Sequence, residues 1–423
     1  MKRRLFTSLG SGLLFGAAPS DKIRIACIGI RGQGGRVAAS MAGFPDAEVV
    51  TLCDPDSRVF PKVAAAIAAR QNGKQPAFEK DLRRVLDDKS VDAVIIGTPD
   101  HWHAPATILA CDAGKDVYCE KPASHNLREG RLMVNAARRN KRIVQIGTQS
   151  RSRPNTRAGI ELARSGKIGT LRMAKAWDVQ LRDDIGHKQD SPVPAEVDFD
   201  LWTGPAIALP FNENRFHYNW HWNWNYGTGD LGNDGVHQLD QARWALGVSS
   251  PTRISGMGKK LHFQDDQQTP DTMNIVYEFP GNLAIQFEMR IWNPYKYSGI
   301  DNGMAIYGTE GMIEIGRRES GAWGYWTYDA KGKHVPELTK VEAGPDNHHH
   351  RNFLDCVKSR QAPNAEVEIG HISTSLCHLG NIVARTGRNL AFDPATETIS
   401  GDNEAAQLLK RPYRKHWSVP KGV

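Results

Sequence analysis

Hydrophobic and polar positions alternate between two periods over the first third of the chain. In "KIRIACIGIRGQGGRVAASMA" a β-rich apolar run from Ile23 to Ile30 breaks into glycines at Gly29, Gly32, Gly34 and Gly35, then resumes with helical spacing. "AEVVTLCDPD" returns to a strand ending at Asp54. "VDAVIIGTP", "KDVYCEKP" and "RIVQIGTQ" read as further buried strands, with "HAPATILACDAG" and "NLREGRLMVNAARRN" as the helices between them. This repeated alternation predicts an α/β fold built on a doubly wound parallel sheet, in which ligands bind at the carboxyl ends of the strands. Thr98, Pro99, His103, Glu120, Lys121 and Pro122 all fall at such ends.

Later in the chain the period changes. "PTRISGMGKK", "TMNIVYEFPG", "LAIQFEMRI" and "MAIYGTEGMIEIG" alternate apolar with polar positions between Gly, Pro and Asp turns, which predicts an antiparallel sheet. "NFLDCVKSR" and "STSLCHLGNIVARTGR" read as closing helices. Between the two regions stands "FHYNWHWNWNYGTGDLGNDGVHQLD", where Phe216, Tyr218, Trp220, Trp222, Trp224 and Tyr226 alternate with His217, Asn219, His221, Asn223 and Asn225. Strict period two predicts a half-buried strand, rings on one face and imidazoles and amides on the other.

Strand, glycine turn, helix, strand and then an acid about 20 residues past the glycines is an arrangement that binds dinucleotides. Glycines let the backbone approach a pyrophosphate whose charge rests on helix N–H groups, here over Gly29, Arg31, Gly32, Gln33 and Gly34. Read as G-x-G-x-x-G from Gly29, the fingerprint has Arg31 where the second glycine belongs, and a tight structural turn is the alternative. Asp54 is placed to accept the adenosine ribose hydroxyls and to repel a 2′-phosphate. That favours NAD over NADP, although Arg58 pulls the other way.

At 423 residues, with 24% charged and 40% hydrophobic, the chain is long enough for two globular domains and is neither disordered nor fibrous. Net charge is +7, but Lys2, Arg3 and Arg4 lie at the very start and no basic block follows, so nucleic acid is not expected as a partner. No stretch is apolar for long enough to predict a transmembrane helix. "MKRRLFTSLGSGLLFGAAPS" pairs a basic end containing Arg3-Arg4 with a short apolar stretch and small residues at Ala17 and Ala18. Residues 1–20 therefore read as a twin-arginine export signal to the periplasm or beyond, with a frayed or amphipathic segment on a cytoplasmic protein as the alternative. Six cysteines without C-x-x-C spacing read as buried thiols, which export of an already folded protein accommodates.

With "TPDHWHAPATILACDAGKDVYCEKP" and "DGVHQLDQARW" the chain resembles the Gfo/Idh/MocA family of oxidoreductases, over roughly residues 22 to 390 in matching order. The resemblance implies a Rossmann domain binding NAD(P) over residues 21–150. It also implies an α+β domain with an open, mainly antiparallel sheet over 151–390; the tail, 391–423, is assigned only surface packing. It implies that Lys121 hydrogen-bonds the hydroxyl being oxidised, an ammonium there easing alkoxide character. By the same resemblance the Lys121-Pro122 bond is cis, His237 accepts the proton as a hydride leaves the same carbon, Asp240 is its following acid, and a dimer or tetramer is expected. If Gly229 to Leu246 is helical, Asn233, His237 and Asp240 share one face while Asp234 points about 100° away. Many relatives carry aspartate where this chain has Asn233. An amide is no base and does not raise an imidazole pKa by charge, so either His237 relies on Asp240 or the chemistry departs from simple alcohol oxidation.

Sugars present C–H faces edged by hydroxyls, which suit an aromatic wall flanked by His and Asn. Candidates for substrate contact are Lys121, His217, His221, Trp222, Trp224, Asp234 and His237, the remaining rings packing beneath. His217 and His221, with His348, His349 and His350 of "NHHH", raise a metal reading; period two keeps the first pair from converging, so no metal is expected. The expected function is an NAD(P)-dependent oxidoreductase acting on a small carbohydrate, a sugar, cyclitol or glycoside. Its cofactor is expected to be held tightly, because free NAD is scarce outside the cytoplasm. Two alternatives stay open: a redox-neutral, NAD-dependent glycosidase or lyase working through a 3-keto sugar, and a non-catalytic dinucleotide or sugar sensor. Asn233 permits the sensor; Lys121, His237 and Asp240 argue against it.

Overall fold

Apolar runs in the first 150 residues pair as β1 (Ile23–Ile28), β2 (Ala47–Cys53), β3 (Ala77–Glu79), β4 (Ala93–Ile96), β5 (Asp116–Cys119) and β6 (Val144–Ile146). All are parallel, in the order β3-β2-β1-β4-β5-β6. Side chains of alternate strand positions go to opposite faces, so each face needs a helical cover. Helices α1 (Gln33–Met41) and α2 (Phe60–Ala68) cover one; α3 (Leu82–Asp87), α4 (Asp100–Asp112) and α5 (Leu127–Arg139) cover the other. This is the doubly wound parallel sheet expected from the sequence. The computed structural model describes residues 22–318, 321, 323–342 and 347–423, and the expected export signal at residues 1–20 lies outside them.

The second domain follows the change of period. Strands β7 (Leu171–Val179), β8 (Arg253–Lys259), β9 (Thr272–Phe279), β10 (Leu283–Arg290), β11 (Asn302–Gly308), β12 (Gly311–Arg317), β13 (Trp323–Asp329), β14 (Lys340–Glu342), β15 (Leu390–Asp393) and β16 (Thr398–Ser400) form one sheet. Its order is β14-β13-β12-β11-β7-β10-β9-β8-β15-β16, mainly antiparallel, with β7 and β10 paired in parallel. Helices α6 (Pro154–Arg164), α7 (Phe199–Thr203), α8 (Val236–Leu246), α9 (His348–Ser359), α10 (Val367–Thr386) and α11 (Asn403–Gln407) complete the chain. The main core of this domain lies where α6, α8 and α10 pack on the sheet.

One helix crosses back. Phe353 and Leu354 of α9 join the core beneath α1 and β1, and His349 bridges Ser152 Oγ at 2.7 Å and the Ile146 carbonyl at 2.9 Å. His350 Nδ1 meets Ser40 Oγ at 2.8 Å. The tandem histidines thus dock α9 on the first domain and stand away from the ligand cleft.

The aromatic run is not a strand, which corrects the period-two expectation. It forms 3₁₀ turns at Glu213–Arg215 and His217–Trp222, with His217 at a φ of 46° that ends any extended run. Asparagines help to turn it: just ahead of the run Asn212 Oδ1 accepts from the Asn214 amide at 2.9 Å, and within it Asn223 Oδ1 accepts from the Asn225 amide at 3.0 Å. These short-range bonds compete with a sheet ladder. Phe216 and Tyr226 are buried with Trp202 and Phe211 in a cluster of their own.

Two close approaches position the cleft. At Gly34 a Cβ would lie 2.0 Å from the Gly29 carbonyl oxygen and 3.1 Å from Gly97 Cα, so glycine alone lets α1 start against β1 and β4. At Gly235 a Cβ would lie 2.7 Å from Phe287 Cζ, so the start of α8 rests directly on β10. Because backbone cannot retreat as a flexible side chain can, Gly34→Ala is expected to lower unfolding free energy by about 1–3 kcal/mol in a denaturant titration of the apoprotein.

Candidate active site

A cavity of about 520 Å³ runs along the carboxyl ends of the parallel strands and is closed on its far side by the second domain. One end is built from Gly29, Gly32 and Gln33 at the β1–α1 turn and from Asp54 after β2. Gly29 has φ +80°, and the amino end of α1 faces the cavity. Asp54 Oδ2 accepts from the Ile30 amide at 2.9 Å and Oδ1 from the Asp56 amide at 3.0 Å, leaving lone pairs for a further donor. Burial pushes its pKa up to about 6, against those two bonds, so it is mostly ionised at neutral pH. These residues fit a dinucleotide: a glycine turn open to a pyrophosphate and a fixed carboxylate at the ribose position. Arg31, Arg36 and Lys80 also line this end.

The other end is built around the end of β5. The Lys121-Pro122 bond is cis, and Lys121 Nζ donates to the Asn233 carbonyl at 2.6 Å and to Asn233 Oδ1 at 3.2 Å. Asn233 lies in a π-helical turn, Leu231–Gly235, ahead of α8, and its Nδ2 donates to Asp230 Oδ1 at 3.1 Å and Asp234 Oδ2 at 3.2 Å. His237, one residue into α8, is half-buried and lines the same cavity, as do Asp234, His221 and Glu120. Glu120 is pushed up by burial, with Lys121 opposing. His103 faces the Pro122 carbonyl at 2.6 Å and the Thr98 carbonyl at 2.8 Å, tying the lysine turn to the end of β4. Burial holds its pKa down, to about 4.

Above Lys121 the second domain contributes an acidic cluster that the sequence reading did not assemble. Asp178, Asp230 and Asp234 bring carboxylate oxygens within 4.8 Å of one another, close enough to hold a cation. Arg182 already serves as that cation, donating at 2.6 Å to both Asp230 and Asp234. Gln180 Nε2 links Asp178 Oδ1 at 2.7 Å to Asp234 Oδ2 at 2.8 Å. Burial first, then Asp234 and Asp230, drive the pKa of Asp178 well above the usual carboxylate range.

Expected site residues separate into two groups. Gly29, Arg31, Gly32, Gln33, Asp54, Thr98, Pro99, His103, Glu120, Lys121, Asn233, Asp234 and His237 all line the cavity, while Gly34 packs beneath it. His217 lines the dinucleotide end rather than the substrate end, its Nε2 2.9 Å from Asp56 Oδ2. His221 lies near Lys121, stacked 3.6 Å from the Trp220 ring, and burial lowers its pKa to about 3. Trp222 and Trp224 do not reach the cavity: Trp222 Nε1 donates to Asp230 Oδ2 at 3.0 Å, and Trp224 lies under Arg385. Trp220 and Tyr218 take the wall positions instead, because 3₁₀ winding replaces the strand alternation. Asp240 is also removed from the cleft. It is fully buried and accepts from Arg151 Nη2 at 2.8 Å and Ser373 Oγ at 2.6 Å, since a buried carboxylate needs a cation and donors.

A parallel sheet carrying a glycine turn and ribose carboxylate, capped by a second sheet that meets its lysine, defines a dinucleotide-binding oxidoreductase. The chain belongs to the Gfo/Idh/MocA oxidoreductase family. Residues 23–148 match the family's NAD-binding Rossmann model, residues 196–314 a GFO/IDH/MocA C-terminal domain, and residues 320–419 the family's C-terminal alpha/beta domain. It is 26% identical over 298 residues to scyllo-inositol 2-dehydrogenase (NAD(+)) of Bacillus subtilis, covering 70% of this chain and 74% of that one. It is 28% identical to trans-1,2-dihydrobenzene-1,2-diol dehydrogenase of Mus musculus, covering 59% of this chain and 65% of that relative's length. In structure it is similar to the aldose-aldose oxidoreductase of Caulobacter crescentus, with a TM-score of 0.65 at 18% identity, covering 88% of this chain and all of that one (100%).

Asp100, at the start of α4, is a cavity residue that sequence reasoning missed. It accepts from Thr228 Oγ1 at 2.6 Å, and burial pushes its pKa up to about 7 although Lys121 favours its charge. A carboxyl whose folded pKa exceeds its unfolded value costs stability as pH rises between the two. Asp100→Asn is therefore expected to lose less stability than the parent between pH 4 and pH 8, by an amount bounded at about 4 kcal/mol, in melting curves of the apoprotein across that range.

Proposed function

We propose that the protein is an NAD-preferring oxidoreductase that moves a hydride at a hydroxyl-bearing ring carbon of a sugar, cyclitol or glycoside, and that it retains its dinucleotide between turnovers. The observation that carries the reading is the 2.6 Å bond from Lys121 Nζ to the Asn233 carbonyl. It places the ammonium in one cavity with His237, Asp234 and the glycine turn. A bound nicotinamide supplies the hydride acceptor or donor.

Lys121 donates to the reacting hydroxyl oxygen and stabilises alkoxide character as it develops. His237 takes the proton on oxidation and returns it on reduction. Arg182, Gln180 and Asp234 offer neighbouring hydroxyls both donors and an acceptor, while the Trp220 and Tyr218 rings give an apolar wall. Such a mixed lining suits a ring with several hydroxyls. The relatives' names, an inositol dehydrogenase, a dihydrodiol dehydrogenase and an aldose oxidoreductase, support a hydroxylated ring or chain as the substrate class. Asp54 supports NAD, because an ionised carboxylate at the ribose repels a 2′-phosphate. Retention is supported by the loop through His217, which crosses the cleft to Asp56, and it suits the export read from residues 1–20.

The test is a screen of cyclitols, aldoses and glycosides with and without added NAD, run on the parent and on Lys121→Met. In the variant kcat is expected to fall about 10²- to 10⁴-fold while dinucleotide affinity stays within about threefold. Undiminished turnover in Lys121→Met would remove the lysine from the chemistry. Glycoside cleavage without accumulation of reduced cofactor would replace net oxidation with the redox-neutral cycle through a keto sugar.

A further inference from the structure

From the path of the carboxyl-terminal tail we infer that residues 411–423 are a strap over the dinucleotide's adenosine end, with Trp417 as the aromatic wall for the adenine. The inference rests on the dinucleotide reading of the cleft and assigns a contact to a segment whose sequence suggested only surface packing.

Three sets of bonds fix the strap to the first domain and to the loop that covers it. Arg411 Nε donates to the fully buried Glu129 of α5 at 2.9 Å and its Nη2 to the His101 carbonyl at 2.9 Å. Tyr413 OH donates to the same Glu129 at 2.8 Å. Arg414 Nη2 donates to the Asp200 carbonyl at 2.8 Å, and Arg128 Nη2 to the Gly422 carbonyl at 2.7 Å. Between these anchors Trp417 reaches the cavity at the end marked by Asp54, Pro55, Lys80 and Leu82.

The indole is set for stacking. Its ring lies 5.7 Å from Trp102, and the Arg83 guanidinium, itself held by Asp81, sits 4.4 Å over its centroid. The residue is 37% exposed at the mouth of the cavity, leaving part of the indole open to a flat ligand. Adenine has such a face, and stacking on an aromatic side chain is independent of its hydrogen-bonding edge. The adenosine half is the part of a dinucleotide that takes no part in hydride transfer. A contact there therefore changes how long the cofactor stays without changing the chemistry.

The experiment measures release of NADH from the full-length protein, by stopped-flow chase with excess NAD, for the parent, Trp417→Leu and Trp417→Phe. Reduced nicotinamide mononucleotide, which lacks the adenosine half, is titrated in parallel. Trp417→Leu is expected to release NADH about tenfold faster or more, Trp417→Phe to stay near the parent, and mononucleotide affinity to be the same in all three. Equal NADH release rates in folded parent and Trp417→Leu, or an equal loss of mononucleotide affinity, would overturn the strap while leaving the dinucleotide reading intact. A Trp417→Leu chain that does not fold would make the residue structural and overturn the inference as well. A parent that binds neither NADH nor the mononucleotide would bring down the dinucleotide reading itself.

Discussion

The ammonium of Lys121 joins the two halves of the site. It leaves the end of β5 in the parallel sheet and reaches a backbone carbonyl in the π turn ahead of α8, 2.6 Å away. A hydrogen bond from a charged donor contributes about 1.5–3 kcal/mol, a sizeable share for one contact between the two domains. The partner has to be a group that accepts from the lysine and donates to acids behind it. Asn233 does both, its oxygen facing Lys121 and its nitrogen facing Asp230 and Asp234. An aspartate at this position would add a further carboxylate beside two others and donate to neither, so its ionisation would be opposed by like charge. The amide that looks like a missing base in the sequence is the residue this cluster requires.

Behind Asn233 the charges are balanced locally. Arg182 pairs with both Asp230 and Asp234, and burial raises the pKa of Asp178. A metal ion in the same place would have to displace the guanidinium from two bonds of 2.6 Å. Held by Gln180 and Trp222 as well, the cluster presents a fixed set of donors and acceptors to the cavity and has little need to reorganise when charge develops near Lys121.

Much of this was legible because it is written in short-range patterns. Every strand and helix proposed for the first 150 residues is present, since period, glycines and apolar runs are local signals, and Asp54 follows from its place after β2. The helix considered for Gly229 to Leu246 is in fact two elements, a π turn over Leu231–Gly235 and α8 from Val236. That turn sets Asn233 against Lys121, and Asp240 finds Arg151, 89 residues earlier in the chain. Partners so distant leave no periodicity to read. The aromatic run misled for a related reason: alternation describes a strand only when a neighbouring strand takes its backbone bonds, and here local 3₁₀ turns and an asparagine side chain take them. Asp100 stood in plain view within "TPDHWH", but its perturbed pKa comes from burial that only the fold creates.

Closure of the cleft has an energetic consequence of its own. Its walls are held by bonds within the protein: His217 to Asp56, Trp222 to Asp230, Arg411 to Glu129. These contacts need no ligand, so the walls are organised in advance and little conformational entropy is lost when a ligand enters. On the proposed reading that the dinucleotide is retained, contacts within the protein that hold the walls would raise the barrier to its release without adding contacts to the ligand itself. An oxidoreductase arranged in this way separates two tasks by location. On the proposed reading, Lys121 and His237 handle the proton at one end of the cavity, and the adenosine half of the dinucleotide, where no bond is made or broken, is held at the other.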